Sequence, residues 1–196
     1  MAVLLHTKHL KILEKTIKEY NEAIANCKDI FMKKTIDYGT AWRILRPSSI
    51  TDQLFIKARR IRSIEEKGSQ KVADSIEDEY KGLVNYSILA ILQLEMPDDA
   101  PTEIEPALVE KLYDEQVTIT RDLMVAKNSD YGEVWRDMRV SSITDLILQK
   151  LYRIKQIEDH DGKTIISEGL DANFRDIINY SVFSLIKMKY PKYPKI

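Results

Sequence analysis

The chain has little with which to build several common kinds of site. It carries one cysteine and three histidines in 196 residues. A lone cysteine forms no intramolecular disulfide, and Cys27, set among Ile24, Ile30 and Phe31, reads as a small buried hydrophobe. His6, His9 and His160 compose no metal-ligand set, no Ser-His-Asp triad and no Cys-His pair, because only His160 lies outside the N-terminal helix. Apolar runs such as Ile88–Leu92 fall far short of the ~20 residues a membrane span needs. His6, Lys8, His9 and Lys11 stand where a secretory signal would carry its hydrophobic stretch, so the expectation is a soluble protein of the reducing cytoplasm, with no membrane partner. No segment alternates as a strand would. A net charge of −1 gives no general case for nucleic acid as a partner.

What the chain does have is a repeat. At an offset of 93, residues 37–67 and 130–160 match without gaps at sixteen of thirty-one positions. The shared residues are as much polar and aromatic as apolar: Asp37/Asp130, Tyr38/Tyr131, Gly39/Gly132, Trp42/Trp135, Arg43/Arg136, Arg46/Arg139, Lys57/Lys150, Arg60/Arg153 and Glu65/Glu158. Ser48-Ser49-Ile50-Thr51-Asp52 returns as Ser141-Ser142-Ile143-Thr144-Asp145, and one residue out of step Asn85-Tyr86-Ser87 returns as Asn179-Tyr180-Ser181. Packing alone would keep apolar positions alike. Retained charges point to a shared polar site.

Both repeats read as helical. Leu13, Ile17, Tyr20, Ile24, Cys27 and Phe31 keep three- and four-residue spacing over about Thr7–Lys34, and Asp37-Tyr38-Gly39 ends that helix. Ser49 is read as the N-cap of a second helix, with Asp52 three residues on, and a third runs from about Glu77 to Leu94. Met96–Pro106, with three prolines and four acidic residues, reads as a linker. The order then repeats: a helix from about Ala107 to Lys127, the Asp130-Tyr131-Gly132 stop, Ser142 as cap, a helix on Ile143, Ile147, Leu151, Ile154 and Ile157, and a last helix from about Leu170 to Tyr190. The expected fold class is all-α: an internally duplicated helical bundle, about three main helices per repeat, related by a pseudo-two-fold. Its parts are residues 1–96 (N-terminal helix extension and first repeat), 97–106 (linker), 107–190 (second repeat) and 191–196 (basic tail). A unit of roughly 75 to 90 residues buries only part of a core by itself, so the halves should form one fused body.

Several constellations carry potential chemistry. Lys57 and Lys150 fall on the apolar stripes of their helices, so each either finds a carboxylate, for which Asp37 and Asp130 are the candidates in the motif, or snorkels to water. Arg43, Arg46, Ser48, Ser49 and Arg60, matched by Arg136, Arg139, Ser141, Ser142 and Arg153, put guanidinium and hydroxyl groups near a helix N-terminus, where anions are favoured; the alternative is ordinary serine capping. Asp37-Tyr38-Gly39 and its repeat at Asp130-Tyr131-Gly132 either present a carboxylate and a phenol at the mouth of a cleft or are helix stops with the tyrosine packed beneath; Trp42 and Trp135 read as anchors between the halves, or as platforms for a base. Asp52, Asn85, Asp145 and Asn179 complete the expected cleft. Glu158, Asp171 and Asp176 are the candidate magnesium ligands. Residues 33–67 hold nine Lys and Arg against four Asp and Glu, whereas residues 126–160 hold six of each. Gly82 stands where the second repeat has Asp176, so a metal would favour the second repeat and a phosphate the first.

The run Lys34-Thr-Ile-Asp37-Tyr38-Gly39-Thr-Ala-Trp42, returning as Lys127-Asn-Ser-Asp130-Tyr131-Gly132-Glu-Val-Trp135, followed by Lys-x-x-Arg and a late Asn-Tyr, resembles the nucleotide modification associated domain 1 family. The resemblance covers both repeats and implies a helical protein associated with modified nucleotides. More distantly, helix order and the late acidic-Asn-Tyr segment are similar to the all-α nucleoside triphosphate pyrophosphohydrolases of the MazG type. Those hold magnesium with carboxylates on neighbouring helices, but the paired Glu-x-x-Glu and Glu-x-x-Asp segments are missing here, and Ile56 and Gln149 stand where an acidic residue often precedes the lysine.

Three functions are therefore open. One is a nucleotide-processing enzyme, a magnesium-dependent hydrolase of nucleotide phosphates with Asp37, Lys57, Asp130 and Lys150 in the catalytic cluster. A second is a non-catalytic sensor of a nucleotide or phosphorylated metabolite. The third is a helical scaffold, in which the repeated polar residues lock the halves in register. A homodimer is compatible with each.

Overall fold

The computed structural model describes residues 2–97, 99–160, 162–163 and 168–190, with side chains from residue 12 onward. The basic tail at 191–196 and the side chains of His6 and His9 lie outside the described residues. Six α-helices are described: α1 Ala2–Tyr38, α2 Pro47–Lys67, α3 Ile76–Glu95, α4 Pro106–Tyr131, α5 Val140–Glu158 and α6 Leu170–Lys189. Short 3-10 turns, Ala41–Ile44 and Val134–Arg136, follow α1 and α4. There are no strands among the described residues.

The order α1-α2-α3 is repeated by α4-α5-α6. α3 packs on α6, α2 on α3, α5 on α6 and α2 on α5, so the shared four-helix core takes two helices from each repeat. α1 and α4 lie across it and touch each other. Ile50, Leu54, Ile61, Leu83, Ile88 and Ile91 from the first repeat, and Ile143, Ile147, Leu151, Ile154, Ile177 and Val182 from the second, are fully buried in that core. Cys27 is also fully buried, as its apolar neighbours predict, and burial pushes its thiol up to about 12.

The pseudo-two-fold is written in matched hydrogen bonds. Thr51 Oγ1 donates to Glu158 at 2.7 Å, and its counterpart Thr144 donates to Glu65 at 3.0 Å. Tyr20 donates its phenol proton to Asn179 Oδ1 and Tyr113 to Asn85 Oδ1, both at 2.9 Å. Asn85 Nδ2 then donates to the Cys27 carbonyl at 2.9 Å and Asn179 Nδ2 to the Thr120 carbonyl at 3.3 Å. Asp52 pairs with Lys155 at 2.5 Å and Asp145 with Arg62 at 3.4 Å. Many of the polar residues common to the repeats therefore hold the halves in register.

Two expectations about helix starts are corrected. Neither Ser49 nor Ser142 caps its helix: α2 begins at Pro47 with Arg46 as N-cap, α5 begins at Val140 with Arg139 as N-cap, and neither cap side chain makes a hydrogen bond. Pro47 at the first position is suited to start a helix, because its missing N–H is one that would have no partner there. The capping box belongs instead to α3, where Ser75 accepts from the Asp78 N–H and the Asp78 carboxylate accepts from the Ser75 N–H.

Candidate functional site

α1, the turn after it, α2 and α3 enclose a cleft of about 510 Å³ in the first repeat. Its wall is aromatic and apolar: Phe31, Tyr38, Trp42, Leu45, Tyr86 and Leu89. Lysines 34, 57 and 81 and the carboxylates of Asp74, Asp78 and Glu79 border it. Gly39, at φ +65°, stops α1 and turns the chain so that Trp42 comes back over the cleft. The linker fastens this turn from outside: Thr40 Oγ1 donates to the Thr102 carbonyl at 2.6 Å and accepts from the Ile104 N–H at 3.0 Å.

Lys57 is partly buried and reaches Glu79 at 3.2 Å, with Tyr86 5.7 Å away beneath its ammonium. Glu79 also accepts from Arg60. The lysine does find a carboxylate, as its inward position requires, but the partner is Glu79 and not Asp37, which is exposed and outside the cleft lining. Lys150 likewise meets Asp176, at 2.6 Å, and not the exposed Asp130. The spacing that predicted an inward lysine holds no information on which distant helix supplies the anion.

The matching place in the second repeat is filled. Asp176, at the position of Gly82, holds Lys150 at 2.6 Å and Lys127 at 2.7 Å. Burial alone would lower the Lys127 ammonium, but the Asp176 hydrogen bond and charge hold it above its usual range. Phe183, at the position of Leu89, stacks on Trp135 with ring centroids 4.3 Å apart and planes 5° apart. Trp135 is buried by that stack, whereas Trp42, opposite the smaller Leu89, is half-exposed in the cleft. Trp135 thus stacks on a side chain of its own repeat, and Trp42 lines the cleft of its own while packing against the shared core. Both indole N–H groups lack a hydrogen-bond partner among the described residues.

Of the residues expected to hold phosphate, Arg43 is tied to Gln93 at 2.6 Å and to the Ala100 carbonyl at 3.3 Å, and Arg136 to Glu19 at 2.6 Å and Thr16 at 2.7 Å. Arg46, Ser48, Arg139, Ser141 and Arg153 are exposed, Ser49 and Ser142 are partly covered, and those of the first repeat do not line the cleft. Arg60 is committed to Glu79 and the Asp74 carbonyl. Asp52, Asp145 and Asn179 serve contacts between the repeats; Asn85 serves one and lines the cleft as well. Tyr131 is exposed, as is Tyr38, which borders the cleft, and partial burial with Tyr86 and Asp37 nearby raises the Tyr38 phenol.

Glu158, Asp171 and Asp176 do not fit a magnesium ion. Glu158 accepts from Thr51, Asp171 is exposed beside Arg175, and both oxygens of Asp176 are taken by lysines. Among the described residues no group of three or more His, Cys, Asp or Glu side chains could hold a metal. Lys34, Glu79 and Tyr86, absent from the expected site residues, line the cleft. Lys34 and Tyr86 were visible as members of the repeated Lys-x-x-Asp-Tyr-Gly and Asn-Tyr-Ser runs; Glu79 has Asn173 as its counterpart and left no such signal.

Fold and cleft define a class: an internally duplicated all-α protein in which one copy keeps an open, aromatic, lysine-bordered cleft and the other sets an aspartate between the matching lysines and a phenylalanine on the matching tryptophan. The chain belongs to the nucleotide modification associated domain 1 family, whose model matches residues 34–94 and again 127–188, more than half of its length. No curated protein and no solved structure matches it, and the more distant likeness to MazG-type enzymes is not shown. No described helix is long and apolar enough to cross a membrane.

Proposed function

We propose that this protein binds a nucleotide in the cleft of the first repeat, as a binding module of nucleotide modification. The observation that carries the reading is the difference between the two copies: the same lysine pair and the same tryptophan border an open cleft where Gly82 and Leu89 stand, whereas in the second repeat Asp176 occupies both lysines and Phe183 stacks on the tryptophan. Trp42, Tyr38 and Tyr86 offer flat faces to a base, which aromatic side chains hold by stacking. Lys34 and Lys57 supply positive charge for phosphate, and the cleft volume falls within the roughly 300–1,000 Å³ of ordinary ligand sites. The family's description agrees with such a ligand.

Calorimetry and thermal shift against a panel of nucleosides and nucleotides, with and without magnesium, test the proposal. Tyr38→Ala and Tyr131→Ala are a matched pair, since both side chains are exposed and occupy one repeat position. Nucleotide should raise the unfolding temperature of the wild type and of Tyr131→Ala, with a smaller rise for Tyr38→Ala. If no nucleotide has an effect, or the two variants respond alike, the proposal fails. A catalytic reading has one observation in its favour, the carboxylates of Asp74, Asp78 and Glu79 at the cleft border; phosphate or pyrophosphate release in the same panel, lost in Glu79→Gln, would establish it.

A further inference from the structure

The second repeat shows what the lysines of the first can hold. Lys127 and Lys150 donate to the two oxygens of Asp176 at 2.7 and 2.6 Å, a carboxylate gripped from both sides. Their counterparts, Lys34 and Lys57, border the open cleft, and the counterpart of Asp176 is Gly82. Lys34 has no carboxylate partner among the described residues, and Lys57 has only Glu79, whose charge it shares with Arg60. A glycine inside a helix weakens it, yet α3 carries one here. The reason is local: a Cβ at Gly82 would come 2.9 Å from Cδ and Cε of Lys57, which lies across the glycine. The first repeat thus keeps the cations and leaves out the anion.

Resting on the nucleotide-binding reading above, we infer that the ligand is a nucleoside monophosphate, its phosphate seated between Lys34 and Lys57 where the second repeat places the Asp176 carboxylate. The surrounding charge limits the ligand to one phosphate. Lys81 is engaged by Glu77 at 2.8 Å and Asp78 at 3.6 Å, and Arg60 by Glu79 and the Asp74 carbonyl, so neither is free to take a second phosphate. Asp74, Asp78 and Glu79 border the same cleft and repel a longer polyphosphate chain. The second repeat carries its own anion and binds nothing there, which leaves one ligand per chain.

The test is isothermal titration of the full chain with deoxynucleosides of the common bases, their 5′-monophosphates and their 5′-triphosphates, for the wild type, Gly82→Asp and Lys34→Ala. The wild type should hold one monophosphate at least about tenfold more tightly than its nucleoside, and no less tightly than its triphosphate. Gly82→Asp places a carboxylate beside Lys57, as in the second repeat, and should bring the monophosphate down to the nucleoside's affinity while leaving the nucleoside unchanged. Lys34→Ala removes an exposed side chain with no ion pair to lose and should do the same without touching α3. Equal binding of nucleoside and monophosphate, tighter binding of triphosphate, or undiminished monophosphate affinity in both variants overturns the inference and leaves nucleotide binding standing. A wild type that binds none of these compounds overturns both.

Discussion

Gly82 illustrates how one residue can set apart two related halves. Glycine in the middle of a helix costs roughly 0.5–1 kcal/mol relative to alanine, because its backbone has more freedom to lose. Nothing in the backbone of α3 asks for it, since Gly82 is not among the glycines at positive φ. The three atoms nearest to an added Cβ belong to the flexible end of Lys57. Gly82→Ala should therefore raise the stability of the protein by about 0.5–1 kcal/mol in denaturant unfolding while weakening ligand binding, because Lys57 must move aside. A variant that is no more stable, or that binds as well as the wild type, would show that the glycine serves neither purpose. The sequence already marked the Gly82/Asp176 pair as the place where the repeats part. It pointed to a metal, however, because a carboxylate near two helix ends has that chemistry until its neighbours are known to be lysines. The Asn-Tyr motif was legible in the same incomplete way: Asn85 borders the cleft as expected, but both ends of its amide are also occupied, by Tyr113 across the pseudo-two-fold and by the Cys27 carbonyl of α1, partners that no spacing within α3 discloses.

At the scale of elements, apolar periodicity was enough to find every helix, because each lies on a shared core with one face turned inward. The ends were harder. A serine ahead of an apolar stripe is a cap by propensity, but Pro47 fixes the backbone two residues before Ser49, and the helix begins there. Ser75, whose side chain makes the one reciprocal cap among the described residues, stands two residues ahead of the Glu77 start that the apolar stripe from Tyr80 suggests. Replacement of a serine cap by alanine typically costs about 1 kcal/mol. Ser75→Ala should show a loss of that size in chemical denaturation, whereas Ser49→Ala and Ser142→Ala, whose helices start earlier, should change stability by less than about half as much. Equal losses at the three serines would mean that the helix starts are misassigned. The cap also positions the cleft, since Asp78 and Glu79 on its border belong to the first turn of α3.

For the whole molecule, the crossing of the repeats has a pH signature. Glu65 and Glu158 are each about half buried beside the partner repeat, and burial raises both above the usual carboxylate range despite the hydrogen bonds from Thr144 and Thr51. The folded state then binds more protons than the unfolded chain in the window just above the ordinary glutamate value, so this contribution is present below that value and is lost as pH rises through the folded one. At neutral pH both carboxylates are ionised and part of their hydration is gone. Glutamine keeps an oxygen to accept from threonine and carries no charge. Glu65→Gln with Glu158→Gln should therefore be more favourable to stability, relative to the wild type, at pH 7 than at pH 4, by a modest amount because solvent still reaches both groups. Thermal unfolding at the two values checks it; a difference that does not change with pH, or that favours pH 4, refutes it.

The same symmetry predicts what half of the molecule would do. Residues 1–96 leave the inner faces of α2 and α3 without cover, and a unit of that size with one bare apolar side is poorly stable alone. The surface it presents is complementary to a copy of itself, because several cross-repeat contacts come in twins: Thr51 to Glu158 corresponds to Thr144 to Glu65, the Tyr20–Asn179 bond to Tyr113–Asn85, and the Asp52–Lys155 pair to Asp145–Arg62. Two copies of the first repeat can therefore satisfy Thr51 with Glu65, Tyr20 with Asn85 and Asp52 with Arg62, each in both directions, as an isologous dimer requires. Residues 1–96 expressed alone should sediment as a helical homodimer whose unfolding midpoint rises with protein concentration. Because both copies would then carry Gly82 and Leu89, that dimer should offer the first repeat's cleft twice. A monomeric folded fragment would show that the halves do not depend on each other for their core.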